Sequence, residues 1–91
     1  MKFILYSKPG CHLCEGLEAK LRALTIPLDL EVRDITTQPD WFQRYQYEVP
    51  VLCTEHQAPT GIVETPLPRL SPRAPQTQVE QMIQTYRQGL R

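Results

Sequence analysis

Cys11 and Cys14, held three apart in Cys11-His12-Leu13-Cys14, are the residues of this chain best suited to chemistry. Two cysteines at that spacing can close a small disulfide ring. A thiolate attacks a disulfide, forms a mixed disulfide, and is displaced by a second thiol close enough to reach it. At a helix start, the first thiol meets free backbone N–H groups and the positive end of the helix dipole. Such surroundings lower a thiol pKa from about 8.5 to between about 3.5 and 7.5. Cys11 is then the expected nucleophile, and Cys14, one turn further and nearer the core, the resolving thiol. His12, if cationic, favours the thiolate further; otherwise it fills a solvent-exposed turn. Lys8 supplies positive charge or holds a substrate carboxylate, or is an ordinary surface charge.

The same cysteines admit other uses. They can be unreactive residues of a buried helix. They can also join Cys53-x-x-His56 as four zinc ligands in two pairs, or hold an iron–sulfur cluster between two chains. A non-catalytic zinc or cluster carrier is therefore the alternative function, and an interaction domain with incidental thiols a third. Against zinc, the first pair belongs to a helix start, and Cys53 lies in an apolar strand that suits a small core residue.

The elements that must position the pair follow from periodicity. Lys2 to Tyr6 form a short apolar run bounded by Ser7, Pro9 and Gly10, a buried strand. Leu13, Leu17, Leu21 and Leu24 recur at helical spacing, predicting an amphipathic helix from near Cys11 to before Pro27. Gly16 within it costs about 1 kcal/mol relative to Ala. Leu28 to Arg33 alternates apolar and polar, as in a strand. Thr36, Thr37 and Asp40 around Pro39 start a second helix, with Trp41, Phe42 and Tyr45 for its apolar side. Val49-Pro50-Val51-Leu52-Cys53 reads as a third strand. A return strand lies in Gly61–Glu64 or in Leu67–Leu70, within a stretch, 58–76, that holds five of the nine prolines. A last helix opens on a capping box of Thr77 and Glu80, with Val79, Met82, Ile83, Tyr86 and Leu90 on one face and Gly89 near its end.

The order is β-α-β-α-β-β-α: an α/β fold with a small four-stranded sheet and three helices. Ninety-one residues suit one domain spanning 1–91. Ten acidic and ten basic residues leave no net field for nucleic acid or an anionic membrane, and the basic residues form no stripe. No segment approaches the roughly 20 apolar residues of a membrane span, and the first apolar run is too brief for a signal peptide. Three cysteines do not describe a secreted disulfide scaffold, so the expected location is cytoplasmic.

Lys8-Pro9-Gly10-Cys11-His12-Leu13-Cys14 between a strand and a helix, with Val49-Pro50 entering a later strand, resembles the glutaredoxin branch of the thioredoxin superfamily. It is most similar to the small bacterial glutaredoxin-like proteins, through the Cys-His-Leu-Cys-type site and the Val-Pro-Val-Leu segment. The match covers residues 2 to about 54 well and the last helix loosely. The resemblance implies a thioredoxin-like fold with a mixed sheet and a cis peptide bond before Pro50 facing the Cys pair. It implies that Val49 offers its backbone N–H and C=O to an extended substrate peptide, and that Lys8 contacts a glutathione carboxylate. The implied activity is thiol–disulfide exchange in electron transport and redox homeostasis, with Lys8, His12, Val49 and Pro50 as substrate-binding residues.

Three positions depart from that family's pattern. His12-Leu13 replaces proline-tyrosine, and Glu48 replaces the threonine before Val-Pro. Leu67-Pro68-Arg69-Leu70-Ser71-Pro72-Arg73 stands where glutaredoxins carry Gly-Gly-x-x-Asp for the γ-glutamyl end of glutathione. Arg69 and Arg73 could receive a carboxylate instead or be plain surface charges. These departures argue against a glutathione pocket, although glutathione could still serve as thiol donor. The expected partners are a disulfide-containing protein and a thiol reductant, acting on a monomer with no bound cofactor or metal.

Overall fold

The computed structural model describes residues 2–88, in the order β1 (Lys2–Ser7), α1 (His12–Arg22), β2 (Leu30–Asp34), a 3₁₀ turn (Ile35–Thr37), α2 (Pro39–Tyr45), β3 (Val51–Ala58), β4 (Gly61–Pro66) and α3 (Gln76–Gln88). The expected positions Gly89 and Leu90 lie outside the described residues. The sheet runs β2-β1-β3-β4. β1 and β2 are parallel, joined through α1, whereas β1–β3 and β3–β4 are antiparallel. This is the mixed sheet with three helices of a thioredoxin-like fold.

Alternation along β1 divides the core between the two faces of the sheet. Phe3 and Leu5, with Leu52 of β3, face Leu21 of α1 and Val79 and Ile83 of α3, all buried. Ile4, Tyr6 and Cys53 face the other side, where Ile35 is buried and Trp41 and Tyr45 of α2 pack. Two glycines turn the chain where the backbone requires them. Gly10 has φ +78° just before Cys11, and Gly61 has φ +128° at the β3–β4 hairpin.

Several boundaries differ from those the sequence predicts. β2 starts at Leu30, two residues late, and β3 runs on to Ala58. β4 includes Gly61–Glu64, the first of the two candidate return strands, and continues to Pro66; the Leu67–Leu70 alternative is irregular chain. Pro39 is the first residue of α2, with Gln38 as N-cap, while Thr36 and Thr37 lie in the 3₁₀ turn capped by Asp34. The capping box at Thr77 does not form as predicted, because α3 begins at Gln76 and the Pro75 carbonyl accepts from the N–H groups of Gln78 (3.0 Å) and Val79 (3.2 Å). Thr77 is therefore already inside the helix.

The helices bury side chains against both faces of the sheet, and Ile83 of α3 is fully buried. Ile83→Ala should lower the unfolding free energy by about 2–5 kcal/mol, as expected for a cavity in a packed core. Ile62→Ala, at a position 66% exposed on β4, should change it by less than about 0.5 kcal/mol. Urea titrations of the two variants measure both effects.

Candidate active site

The Cys pair sits where β1 hands over to α1. Ser7 ends the strand, Gly10 makes the turn, and Cys11 becomes the N-cap of α1 in an extended conformation. The Cys11 Sγ accepts the backbone N–H of Cys14 at 3.2 Å, one of the N–H groups that a helix start leaves without an intrahelical partner. The Cys11 and Cys14 sulfurs lie at disulfide-bonding distance, with their Cα atoms 5.2 Å apart. The two thiols differ sharply in access. Cys14 is fully buried, whereas Cys11 is partly exposed.

His12 and Leu13, between them, point outward. His12 is exposed and stands 3.8 Å from the Glu15 carboxylate, an ion pair when the imidazole is protonated. Leu13 is 52% exposed, although its spacing places it with Leu17 and Leu21 on the apolar side of α1. The first turn of the helix overhangs the edge of the core, so only Leu17, Leu21 and Leu24 join it.

The Val49-Pro50 segment reaches the same place through the sheet. Tyr6 pairs with Val51 in the β1–β3 ladder, so the residues before β3 lie beside the chain that follows β1. The Val49–Pro50 peptide bond is cis, as the sequence resemblance implies. Pro50 shares with His12 and Leu13 the lining of one cavity of about 470 Å³.

Two expected contacts take a different form. The Val49 N–H donates to the Tyr45 carbonyl at 3.0 Å, which leaves only its C=O to pair with a substrate backbone. The cause is local: α2 ends at Tyr45, whose free carbonyl also accepts the Glu48 N–H at 2.8 Å. Lys8 donates to the Gln46 carbonyl at 3.3 Å, tying the chain before Gly10 to the same loop. Arg69, which could have received a carboxylate, donates to the Glu48 carbonyl at 2.8 Å, and Arg73 is exposed.

Beneath this loop lies a polar and aromatic cluster that the sequence did not reveal. Tyr6 is 1% exposed and stacks on Tyr45 at 4.4 Å, with Trp41 edge-on at 5.8 Å. Its hydroxyl donates to Glu64 at 2.6 Å and accepts from Arg33 at 2.9 Å. Burial and the bond to Glu64 raise the Tyr6 pKa, keeping the phenol protonated. Arg33 also pairs with Glu31 and lies over the Tyr6 and Trp41 rings. By holding Tyr45, this cluster holds the carbonyl that fixes Glu48 and Val49. Tyr6 reads in sequence as one more apolar strand residue, so only the tertiary structure shows its role.

Cys53 lies on the α2 side of β3, in the cluster with Ile4, Tyr6 and Ile35. His56, three residues on, belongs to the opposite face of the strand by its alternation. The four ligands of the alternative zinc arrangement therefore do not converge, and no cluster of three or more His, Cys, Asp or Glu suited to a metal occurs among the described residues. Trp41 and Tyr45 pack as expected, while Phe42 is 39% exposed.

A comparison with protein families matches a model of the glutaredoxin-like domain (DUF836) to residues 2–84, and the chain belongs to that family. Searches of curated proteins and of solved structures each return no match. No helix among the described residues is long and apolar enough to cross a membrane.

The environment of Cys53 makes it chemically quiet. Burial, and then the nearby Glu64 carboxylate, push its thiol up to about 11, so at pH 8 it stays protonated. Iodoacetamide added to the reduced native protein at pH 8 should alkylate Cys11 and leave Cys53 unmodified until the protein is denatured. Peptide mapping by mass spectrometry checks the order.

Proposed function

We propose that this glutaredoxin-like protein is a dithiol disulfide reductase, with Cys11 as nucleophile and Cys14 as resolving thiol. The observation that carries this is the asymmetry of the pair. A bulky disulfide can approach the partly exposed Cys11 at the N-cap but not the fully buried Cys14. Cys14 is nonetheless within bonding reach of Cys11.

In the reduced protein, the Cys14 N–H that now meets the Cys11 sulfur is placed to stabilise a thiolate there, aided by the helix dipole. The Cys11 thiolate attacks one sulfur of a substrate disulfide. The Cys11–substrate bond forms, the substrate S–S bond breaks, and the other substrate sulfur leaves as a thiolate that takes a proton from solvent. Cys14 then loses its proton and attacks the Cys11 sulfur. The remaining substrate thiol is released, and the Cys11–Cys14 disulfide carries the two electron equivalents of oxidation. An external thiol reductant reduces that disulfide and resets the protein.

Pro50 lines the same groove as His12 and Leu13, the two residues that follow Cys11, and we assign Val49 and Lys8, which are tied to the loop before it, to substrate binding as well. His12 is exposed enough to meet a substrate directly. We place a polypeptide disulfide ahead of glutathione disulfide as substrate, because Leu67, Pro68, Leu70 and Pro72 line the groove where glutaredoxins carry the Gly-Gly-x-x-Asp segment for glutathione. The dithiol chemistry itself requires neither metal nor organic cofactor, and the cytoplasm, where thiols are kept reduced, suits it.

Cys11→Ser should abolish disulfide reduction. Cys14→Ser should accumulate a mixed disulfide with substrate, visible as a mass adduct on non-reducing analysis that disappears with dithiothreitol. A Cys14→Ser protein that traps nothing, together with a wild type inactive with every thiol donor, would contradict the proposal.

A further inference from the structure

The cavity that opens at His12 and Leu13, between the two cysteines in sequence, is lined by apolar side chains and by a glycine that the helix backbone does not require. Leu13 and Leu17 of α1 form one wall, Leu67 and Leu70 of the Pro-rich connection another, and Met82 of α3 closes the end. Its volume of about 470 Å³ suits a site that encloses large side chains. The far wall is pinned by Lys20, whose ammonium donates to the carbonyls of Pro72 (3.1 Å) and Ala74 (2.6 Å), and by Gln76, which donates to the Lys20 carbonyl (2.7 Å).

Gly16 lines this cavity from inside α1. A mid-helix glycine costs about 1 kcal/mol relative to alanine. Its backbone is ordinary helix, and a Cβ built there would meet no atom within 4 Å. Neither a left-handed turn nor a close neighbour requires glycine at this position. With no side chain at Gly16, the groove is open at this point.

The charge of the lining has one dominant sign. Lys20, Arg44 and Arg69 face it against the single carboxylate of Glu48. The bonds of Lys20 and Arg69 to backbone carbonyls fix those cations without neutralising them. Arg44 is exposed beside the Tyr45 ring. Tyr47, 88% exposed, sits next to Gln46, which Lys8 ties to the chain before Cys11; Leu13 supplies a second exposed apolar contact.

We propose that this groove, kept open at Gly16, seats the segment flanking the reactive cysteine of a polypeptide substrate. It selects segments with a large apolar side chain beside that cysteine and a carboxylate further out. The inference rests on the dithiol function of Cys11 and Cys14 and specifies its substrate class. The apolar side chain leaves water on Leu13, Leu17 and Leu67, while the carboxylate meets Arg44 and Arg69. A basic segment is repelled, and glutathione disulfide, which has no large apolar side chain, gains nothing from the floor.

The test compares three disulfide-bonded peptides alike except at the flanks of the cysteine: Leu and Asp, Ser and Asp, or Leu and Lys. Wild type should reduce the Leu/Asp peptide with a kcat/KM about tenfold or more above the Ser/Asp peptide, the scale set by burying one leucine side chain, and should also prefer it to the Leu/Lys peptide. Gly16→Leu should keep or raise Tm, yet lower kcat/KM for the Leu/Asp peptide about tenfold more than for hydroxyethyl disulfide. Arg44→Glu should invert the preference for Asp over Lys. Equal kcat/KM for the three peptides, or a preference that survives Gly16→Leu, overturns the groove assignment and leaves the dithiol chemistry standing. The same peptides, fluorescently labelled, are also titrated onto Cys11→Ser by anisotropy. If the Leu/Asp peptide binds there with its preference while wild type reduces no disulfide at all, the dithiol function fails, and the substrate assignment with it.

Discussion

The pairing of Tyr6 with Val51, at the end of the β1–β3 ladder, is the constraint on which the rest of the site depends. It brings two segments far apart in sequence to the same end of the sheet. One is the turn through Gly10 into α1, which makes Cys11 an N-cap. The other is the approach to β3 through Val49 and cis Pro50. Tyr6 does more than hold register. Its ring supports Tyr45 from below, and the Tyr45 carbonyl holds the N–H groups of Glu48 and Val49. A phenol buried to this degree needs partners for its hydroxyl, and Glu64 and Arg33 provide them. The polar cluster on one face of the sheet thus positions the loop that borders the Cys pair.

The helix start completes the arrangement. Extended backbone at Cys11 points its sulfur at an N–H of the first turn, while helical spacing carries Cys14 inward to full burial. Of the two cysteines, only Cys11 is open to solvent. Cys53 shows the contrast: the same side chain, buried in an apolar strand, has a raised pKa and no access. Reactivity in this chain follows from placement, not from cysteine content.

Much of this was legible in the residues, and the limits are physical. The strand–helix order, the role of Cys11 as helix start and the cis bond before Pro50 follow from periodicity, turn residues and resemblance. Helix α3 also appears in its place, but Thr77 could not be told from a cap, since the choice of Pro75 for the first helical bond depends on the connection before it. Leu13 fits a helical stripe by spacing, yet the stripe overhangs the core by one turn, a fact of helix position that no local pattern contains. The groove wall at Leu67–Pro72 was hidden for a related reason. Five prolines in 58–76 erase periodicity, so its leucines carry no directional signal. Gly16 was visible only as a cost to α1. Its consequence appears once the opposite wall is in place.

The proposed dithiol chemistry requires that Cys11 be a thiolate at working pH. The most direct measurement is the pH dependence of Cys11 alkylation in the reduced native protein, resolved from the other thiols by peptide mass. The account predicts a midpoint below about 7.5, in the range of cysteines at helix N-termini. A midpoint near 8.5, the value of a free thiol, would contradict it.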